Sequence, residues 1–194
     1  MPVFTAYVAE RIRPPAAAAA VDHLIDAYSG SGLFTVALAP LFRHSTGVDV
    51  SAASIASAGR NAALNGLGED RCVFLAADAA RLFASVAYPP DRTAVVLDPP
   101  RKGCDAAFLA QLAAFAPRRL LYVSCNVHTQ ARDVGALVRG DHPGARYRLE
   151  SIVGFDFFPQ TGHVEAVAVL DRCDDDDDGA EAPSGERHSG GTCA

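Results

Sequence analysis

No run of apolar residues in this chain is long and uncharged enough to span a bilayer. The opening MPVFTAYVAERIRPP also lacks the basic head and apolar middle of a secretory signal. Both absences place the chain inside a cell, with the compartment open, and argue against a membrane partner. CxxC pairs are missing too. The five cysteines (Cys72, Cys104, Cys125, Cys173 and Cys193) are odd in number, which argues against a disulfide framework and a zinc site. No metal is therefore expected. Lysine is nearly absent: sixteen of the 17 basic residues are arginine, a bias that genomic base composition explains as readily as function.

The net charge of −6 conceals a further absence. Eight of the 23 acids and two of the 17 bases fall from Asp171 onward, which leaves residues 1–170 formally neutral. A neutral body does not bind nucleic acid through bulk charge, so any RNA or DNA contact needs a local patch. Arg101-Lys102, Arg118-Arg119 and Arg132 could supply one. The stretch DRCDDDDDGAEAPSGERHSGGTCA holds almost nothing apolar and is expected to be disordered. With 49% hydrophobic content overall, one core is expected. That makes residues 1–170 one domain and residues 171–194 an acidic tail.

What is present is alternation. Residues 3–13 carry apolar positions at helical spacing up to Pro14-Pro15, and the alanine run 16–20 reads as a connector. Strands are expected at His23–Tyr28, Ser45–Val50, Val73–Ala77, Thr93–Leu97 and Leu120–Val123. Helices are expected at Leu33–Leu41, Ser51–Asn65, Arg81–Val86 (weakly), Asp105–Phe115 and Thr129–Val138. Two late extended segments, Tyr147–Phe158 and Val164–Leu170, are joined by so short a link that they read as an antiparallel hairpin. The pattern predicts an α/β fold: a mostly parallel seven-stranded sheet with helices on both faces and a terminal hairpin.

In such a sheet ligands sit at the carboxyl ends of the strands. DAYSGSGLF places Gly30 and Gly32 after the first strand, where the backbone can approach a ligand, and Asp49 ends the second strand. An acid there can accept hydrogen bonds from ribose hydroxyls. The third glycine of a dinucleotide fingerprint is replaced by Thr35. With Asp26, Asp49, Asp78 and Asp98 all at strand ends, the pattern suits a cationic nucleoside such as S-adenosylmethionine better than a pyrophosphate. The alternative is that these aspartates cap helices. In Asp98-Pro99-Pro100-Arg101, two prolines stiffen the exit from the fourth strand.

LLYVSCNVHTQARD, from Leu120 to Asp133, delivers Cys125 onto a turn between a strand and a helix. A thiol there is a candidate nucleophile; the alternative is a small, inert, buried cysteine. The head of the following helix offers partial positive charge, and Arg132 is a further candidate to help the thiol ionise.

Taken together and in order, DAYSGSGLF, GVDVSAASIASAGRNAALNG, VVLDPPRKGC, LLYVSCNVHTQARDV and FDFFPQTGHVEAVAVL resemble the S-adenosylmethionine-dependent RNA uracil-5-methyltransferases. The form of SCNVHTQARD and FPQTGHVE is most similar to the fungal enzymes that act on the T-loop uridine of tRNA. The resemblance covers Phe4 to Leu170. It implies a Rossmann-like methyltransferase fold, S-adenosyl-L-methionine as cofactor and RNA, in particular tRNA, as partner. It also implies that Cys125 adds to C6 of uracil and that Glu165 removes the C5 proton. By the same resemblance Tyr28, Gly30 and Gly32 contact the methionine portion, Asp49 the ribose and Asp78 the adenine side, with Asp98 beside the transfer centre. His128 and His163 flank the catalytic pair and are expected to be scaffold residues.

Ser29 stands where relatives carry cysteine. A Phe-rich segment with a glutamine, and the amino-terminal RNA-binding portions, are expected upstream of Met1 in the family. Two other readings therefore stay open: a catalytically silent cofactor-binding fragment or interaction module, and an amino-group methyltransferase, which needs neither Cys125 nor Glu165.

Overall fold

Five apolar runs form parallel strands because each is followed by a segment that carries the chain back across the sheet. The computed structural model describes residues 2–13, 21–78 and 82–174. These runs are β1 (His23–Ala27), β2 (His44–Asp49), β3 (Cys72–Ala76), β4 (Thr93–Leu97) and β5 (Arg119–Ser124). The helices are α1 (Pro2–Arg11), α2 (Leu33–Leu38), α3 (Ala52–Leu64), α4 (Ala106–Phe115) and α5 (Val127–Arg139). The hairpin strands β6 (Tyr147–Phe155) and β7 (Glu165–Arg172) complete a sheet of order β3-β2-β1-β4-β5-β7-β6. β1 to β5 are parallel, and β7 lies antiparallel between β5 and β6. The α/β fold with its terminal hairpin is as the sequence implies. Strand order reverses between β1 and β4, so the crevice beyond their carboxyl ends is where this architecture receives a ligand.

Alternate residues of each strand face opposite layers. Ile25, Val95, Leu97, Leu120, Tyr122 and Leu170 pack with Phe108 and Leu112 of α4 and Val134 and Leu137 of α5. Leu24, Val96, Leu121, Val123, Val167 and Val169 pack with Phe4 and Val8 of α1 and Phe34 and Leu38 of α2. Each such aliphatic side chain, once buried, contributes about 1.5–3 kcal/mol. Arg119 is buried at the start of β5, where its guanidinium pairs with Asp171 at 2.6 Å and with Glu150, and donates to Arg11 O at 2.9 Å. It ties the end of α1 to the hairpin.

Some boundaries differ from expectation. Of the weak helix expected at 81–86 only a 3-10 turn, Phe83–Ser85, is present; Pro89-Pro90 follows too closely for a longer helix, and Arg81 lies outside the described residues. β1 ends at Ala27 because Tyr28 turns into the left-handed region. β6 ends at Phe155 because the Asp156 carboxylate accepts the Phe158 N–H (3.1 Å) and turns the chain. β7 continues to Arg172, held by the Arg119–Asp171 pair. The alanine run 16–20 and the acidic stretch from 175 lie outside the described residues. Among the described residues no helix is long and apolar enough to cross a membrane.

Candidate active site

β1 delivers Tyr28 into the crevice at φ 63°, a conformation that costs a non-glycine residue roughly 1–2 kcal/mol. The turn after it is closed by Gly32 N–H to Ser29 O at 2.8 Å. Gly32 has φ 85°, which favours glycine, and a Cβ there would crowd that of Ala58 at 3.0 Å. Asp49 braces the same turn. One of its oxygens accepts the Gly30 N–H (3.0 Å) and the other the Ser51 N–H (2.8 Å). Beside it lies a cavity of about 440 Å³, lined by Tyr28, Asp49, Asp78 and Asp98 together with Val48, Leu82 and Lys102. Neither glycine lines this cavity: Gly32 lines a neighbouring cleft with Ser31 and Asn61, and Gly30 is tied to the cavity wall by its N–H bond to Asp49.

The fourth strand-end acid does not join this group. Asp26 is fully buried, and one of its oxygens accepts both the backbone N–H (2.8 Å) and the hydroxyl (2.6 Å) of Thr35. Burial pushes its carboxyl up to about 7 against those bonds. For Asp26 the helix-capping alternative holds: it secures the first turn of α2.

A second cavity, of about 500 Å³, is lined by Cys125 and Glu165, by Asp98, and by Phe4, Leu33, Phe34, Val123, Phe157 and Phe158. Its two reactive groups come from the facing ends of neighbouring strands, Glu165 opening β7 and Cys125 on the bend just after β5. Ser124 pairs with Ala166 across β5 and β7, so the next residues along, Cys125 and Glu165, lie across from one another. Cys125 is half-buried and is a free thiol. Burial raises the Glu165 carboxyl, with the Arg101 charge opposing the rise. Asp98 stands in the wall of both cavities, and its carboxyl is pushed up to about 6, first by burial and then by the charge of Glu165. The arrangement offers a nucleophile and a base in one largely apolar pocket that shares Asp98 with an acid-lined pocket.

α5 fixes the loop that carries Asp98. Asn126 caps the helix by accepting the His128 N–H at 3.1 Å, and it donates to Arg101 O at 3.0 Å. Thr129 donates to the same carbonyl at 3.1 Å. Arg132 donates to Lys102 O (3.0 Å) and Cys104 O (3.1 Å), and its Nε donates to Asp133 at 2.8 Å. Arg132 is thus engaged by this loop and by Asp133, which corrects the expectation that it assists Cys125. Asp133, fully buried, also accepts the Cys104 N–H (2.8 Å) and the Tyr122 hydroxyl (2.7 Å). The loop approaches it so closely that a Cβ at Gly103, φ 76°, would lie 2.5 Å from its Oδ2. Burial and the Asp133 charge push the Cys104 thiol up to about 12, so it stays protonated.

Asp133 escaped the sequence reading. The available signal was an acid on the apolar stripe of a helix: Gln130, Asp133, Val134 and Leu137 are the buried positions of α5, at helical spacing. His128 and His163 are exposed, and His163 packs edge-on against Phe158 at 6.3 Å. Among the described residues no group of three or more His, Cys, Asp or Glu is placed to hold a metal ion.

A family model described as tRNA (Uracil-5-)-methyltransferase matches residues 15–173. The tRNA (uracil(54)-C(5))-methyltransferases of Saccharomyces cerevisiae and Schizosaccharomyces pombe are each 45% identical to the chain, over 89% and 86% of it. Those alignments take in only 27% and 32% of the two enzymes, so the chain spans about a quarter to a third of the length of these curated relatives. Among solved structures, Pyrococcus abyssi tRNA (uracil-54, C5)-methyltransferase in complex with S-adenosyl-L-homocysteine matches with a TM-score of 0.70 at 30% identity, over 87% of this chain and 37% of that one. An rRNA methylase from Streptococcus thermophilus, at 13% identity and a TM-score of 0.62, shares the fold over 89% of this chain and 95% of its own.

Proposed function

The chain belongs to the tRNA (uracil-5-)-methyltransferase family, and we propose that it transfers a methyl group from S-adenosyl-L-methionine to C5 of a uridine in RNA, in particular tRNA. The observation that carries this reading is the placement of Cys125 and Glu165 in one cavity that meets the acid-lined cavity at Asp98. Relatives named as tRNA uracil-C5 methyltransferases support the substrate class.

The donor set of the acid-lined cavity fits the cofactor. Three carboxylates suit ribose hydroxyls and positive charge, and they would repel a pyrophosphate. Asp49 and Asp78 would hold the nucleoside, with Tyr28 and the Gly30–Gly32 turn beside the methionine portion and Asp98 near the sulfonium. When bound, S-adenosylmethionine supplies an electrophilic methyl group.

The chain's own residues make uracil able to accept it. C5 of uracil is a weak nucleophile. The Cys125 thiolate forms a bond to C6, and the electron pair of the C5–C6 double bond becomes available at C5. Once C5 is methylated, Glu165 takes the C5 proton. The pair left behind restores the double bond and expels the thiolate. Burial keeps the Glu165 carboxylate more basic than in water, which favours that step. RNA labelled with tritium at C5 of uridine tests this sequence: tritium release should accompany methyl transfer and should vanish in Cys125→Ala.

A second reading is a cofactor-binding domain without turnover, for which the acid-lined cavity alone suffices. Calorimetric binding of the cofactor with neither methyl transfer nor tritium release would select it.

A further inference from the structure

Among the described residues Phe158 is the one phenylalanine or tyrosine that is exposed, at 52%. Its neighbour in sequence does the opposite: Phe157 packs edge-on against Phe4 at 5.2 Å, in a cluster with Phe155. Phe157 and Phe158 both line the cavity that holds Cys125 and Glu165, and Phe158 does so while half of it stays open to solvent. The turn beneath it is braced. The Phe158 N–H donates to Asp156 at 3.1 Å, and the Phe158 carbonyl accepts both the backbone N–H (3.1 Å) and the hydroxyl (2.7 Å) of Thr161. His163, whose N–H is held by the Thr161 hydroxyl at 3.3 Å, meets the phenyl ring at an interplanar angle of 80°. A solvent-exposed apolar ring on a braced turn, beside a site read as receiving a nucleobase, has the features of a stacking platform.

We propose that Phe158 stacks on a base of the RNA substrate at the entrance to the Cys125 cavity. This rests on the reading of the chain as an RNA uracil-5-methyltransferase. Stacking accepts any base because every base has a π-face. The base is either the target uracil or a flanking nucleotide.

The chain contains no tryptophan, so Phe158→Trp places a single indole at the platform. Its fluorescence should be quenched on titration with a T-loop stem-loop RNA, at the affinity that anisotropy of the labelled RNA reports. The same RNA with an abasic site in place of the target uridine separates the two sources: lost quenching identifies the target uracil, and retained quenching a flanking base. Phe158→Ala and Phe158→Leu should weaken RNA binding roughly 5- to 100-fold, Phe158→Tyr should restore it, and cofactor affinity should stay as in the wild type. Unchanged fluorescence at saturating RNA overturns the proposal, as does RNA binding by Phe158→Ala at wild-type affinity. If methyl transfer persists in either case, only the platform fails. A wild-type chain that binds no RNA at all overturns it together with its premise.

Discussion

Cys125 and Glu165 stand across from each other at the ends of two antiparallel neighbours, one residue beyond the Ser124–Ala166 pair, in the wall of a single cavity. A thiol and a carboxylate so placed reach one small substrate from two segments, Glu165 at the start of β7 and Cys125 on the bend directly after β5. Removing the base should stop the reaction after the nucleophile has acted. Glu165→Gln is expected to lower turnover by about 100-fold or more and to accumulate protein–RNA adduct on ordinary RNA, seen as a band resistant to denaturation. Loss of turnover without adduct would remove Glu165 from the proton-transfer step.

Asp98 shares its environment with Glu165, and its carboxyl sits at about 6. Its negative charge therefore develops as pH rises through 6. Affinity for the cationic cofactor should rise about tenfold between pH 5 and 7, the span of one such ionisation. Asp98→Asn should bind weakly with a flat profile. Glu165→Gln, which removes the charge that helps raise Asp98, should move the profile to lower pH. Calorimetry at a series of pH values checks all three.

Asp26 gives a pH effect on folding instead. Its folded carboxyl lies near 7, above the ordinary value of 3.8, so the folded state holds the proton more tightly. Its contribution is fully present below about pH 4 and is lost as pH rises toward 7 and beyond, on the order of a few kcal/mol. The stability difference between wild type and Asp26→Asn, from urea unfolding, should therefore move in favour of the variant across that window.

Much of this arrangement was legible in the chain. Alternating apolar runs marked the parallel strands, and the short link from Pro159 to His163 marked the hairpin. Aspartate at the end of β2 and just after β3 and β4 marked the acid-lined cavity. Asp26 read the same way by position, yet it lies one residue inside β1 and faces Thr35; strand-end spacing alone does not distinguish a ligand-facing acid from a capping one. The role of Arg132 was misread because sequence proximity to Cys125 says nothing of its longer-range partners, Lys102 and Cys104. The register of β7 on β5 sets Cys125 opposite Glu165, and no motif spells out that register.

The buried Asp133 network carries the next expectation. Asp133→Asn keeps the shape but loses the charge that three donors share, and it should destabilise the fold by about 2–4 kcal/mol. Tyr122→Phe removes one donor and should cost about 1 kcal/mol. The double variant should cost less than the two together, because both changes strike one network. Denaturant unfolding of the four proteins reads the coupling directly.

The most direct measurement uses RNA carrying 5-fluorouridine at the target position. Fluorine at C5 cannot leave as a proton, so the sequence should halt once the methyl group is in place with the Cys125–C6 bond intact. Mass spectrometry of the wild-type chain with S-adenosylmethionine should find a one-to-one covalent protein–RNA complex, mapped to the peptide containing Cys125 and missing from Cys125→Ala. A folded, cofactor-bound chain that binds this RNA and forms no adduct, or forms one at another cysteine, would contradict Cys125 as the nucleophile.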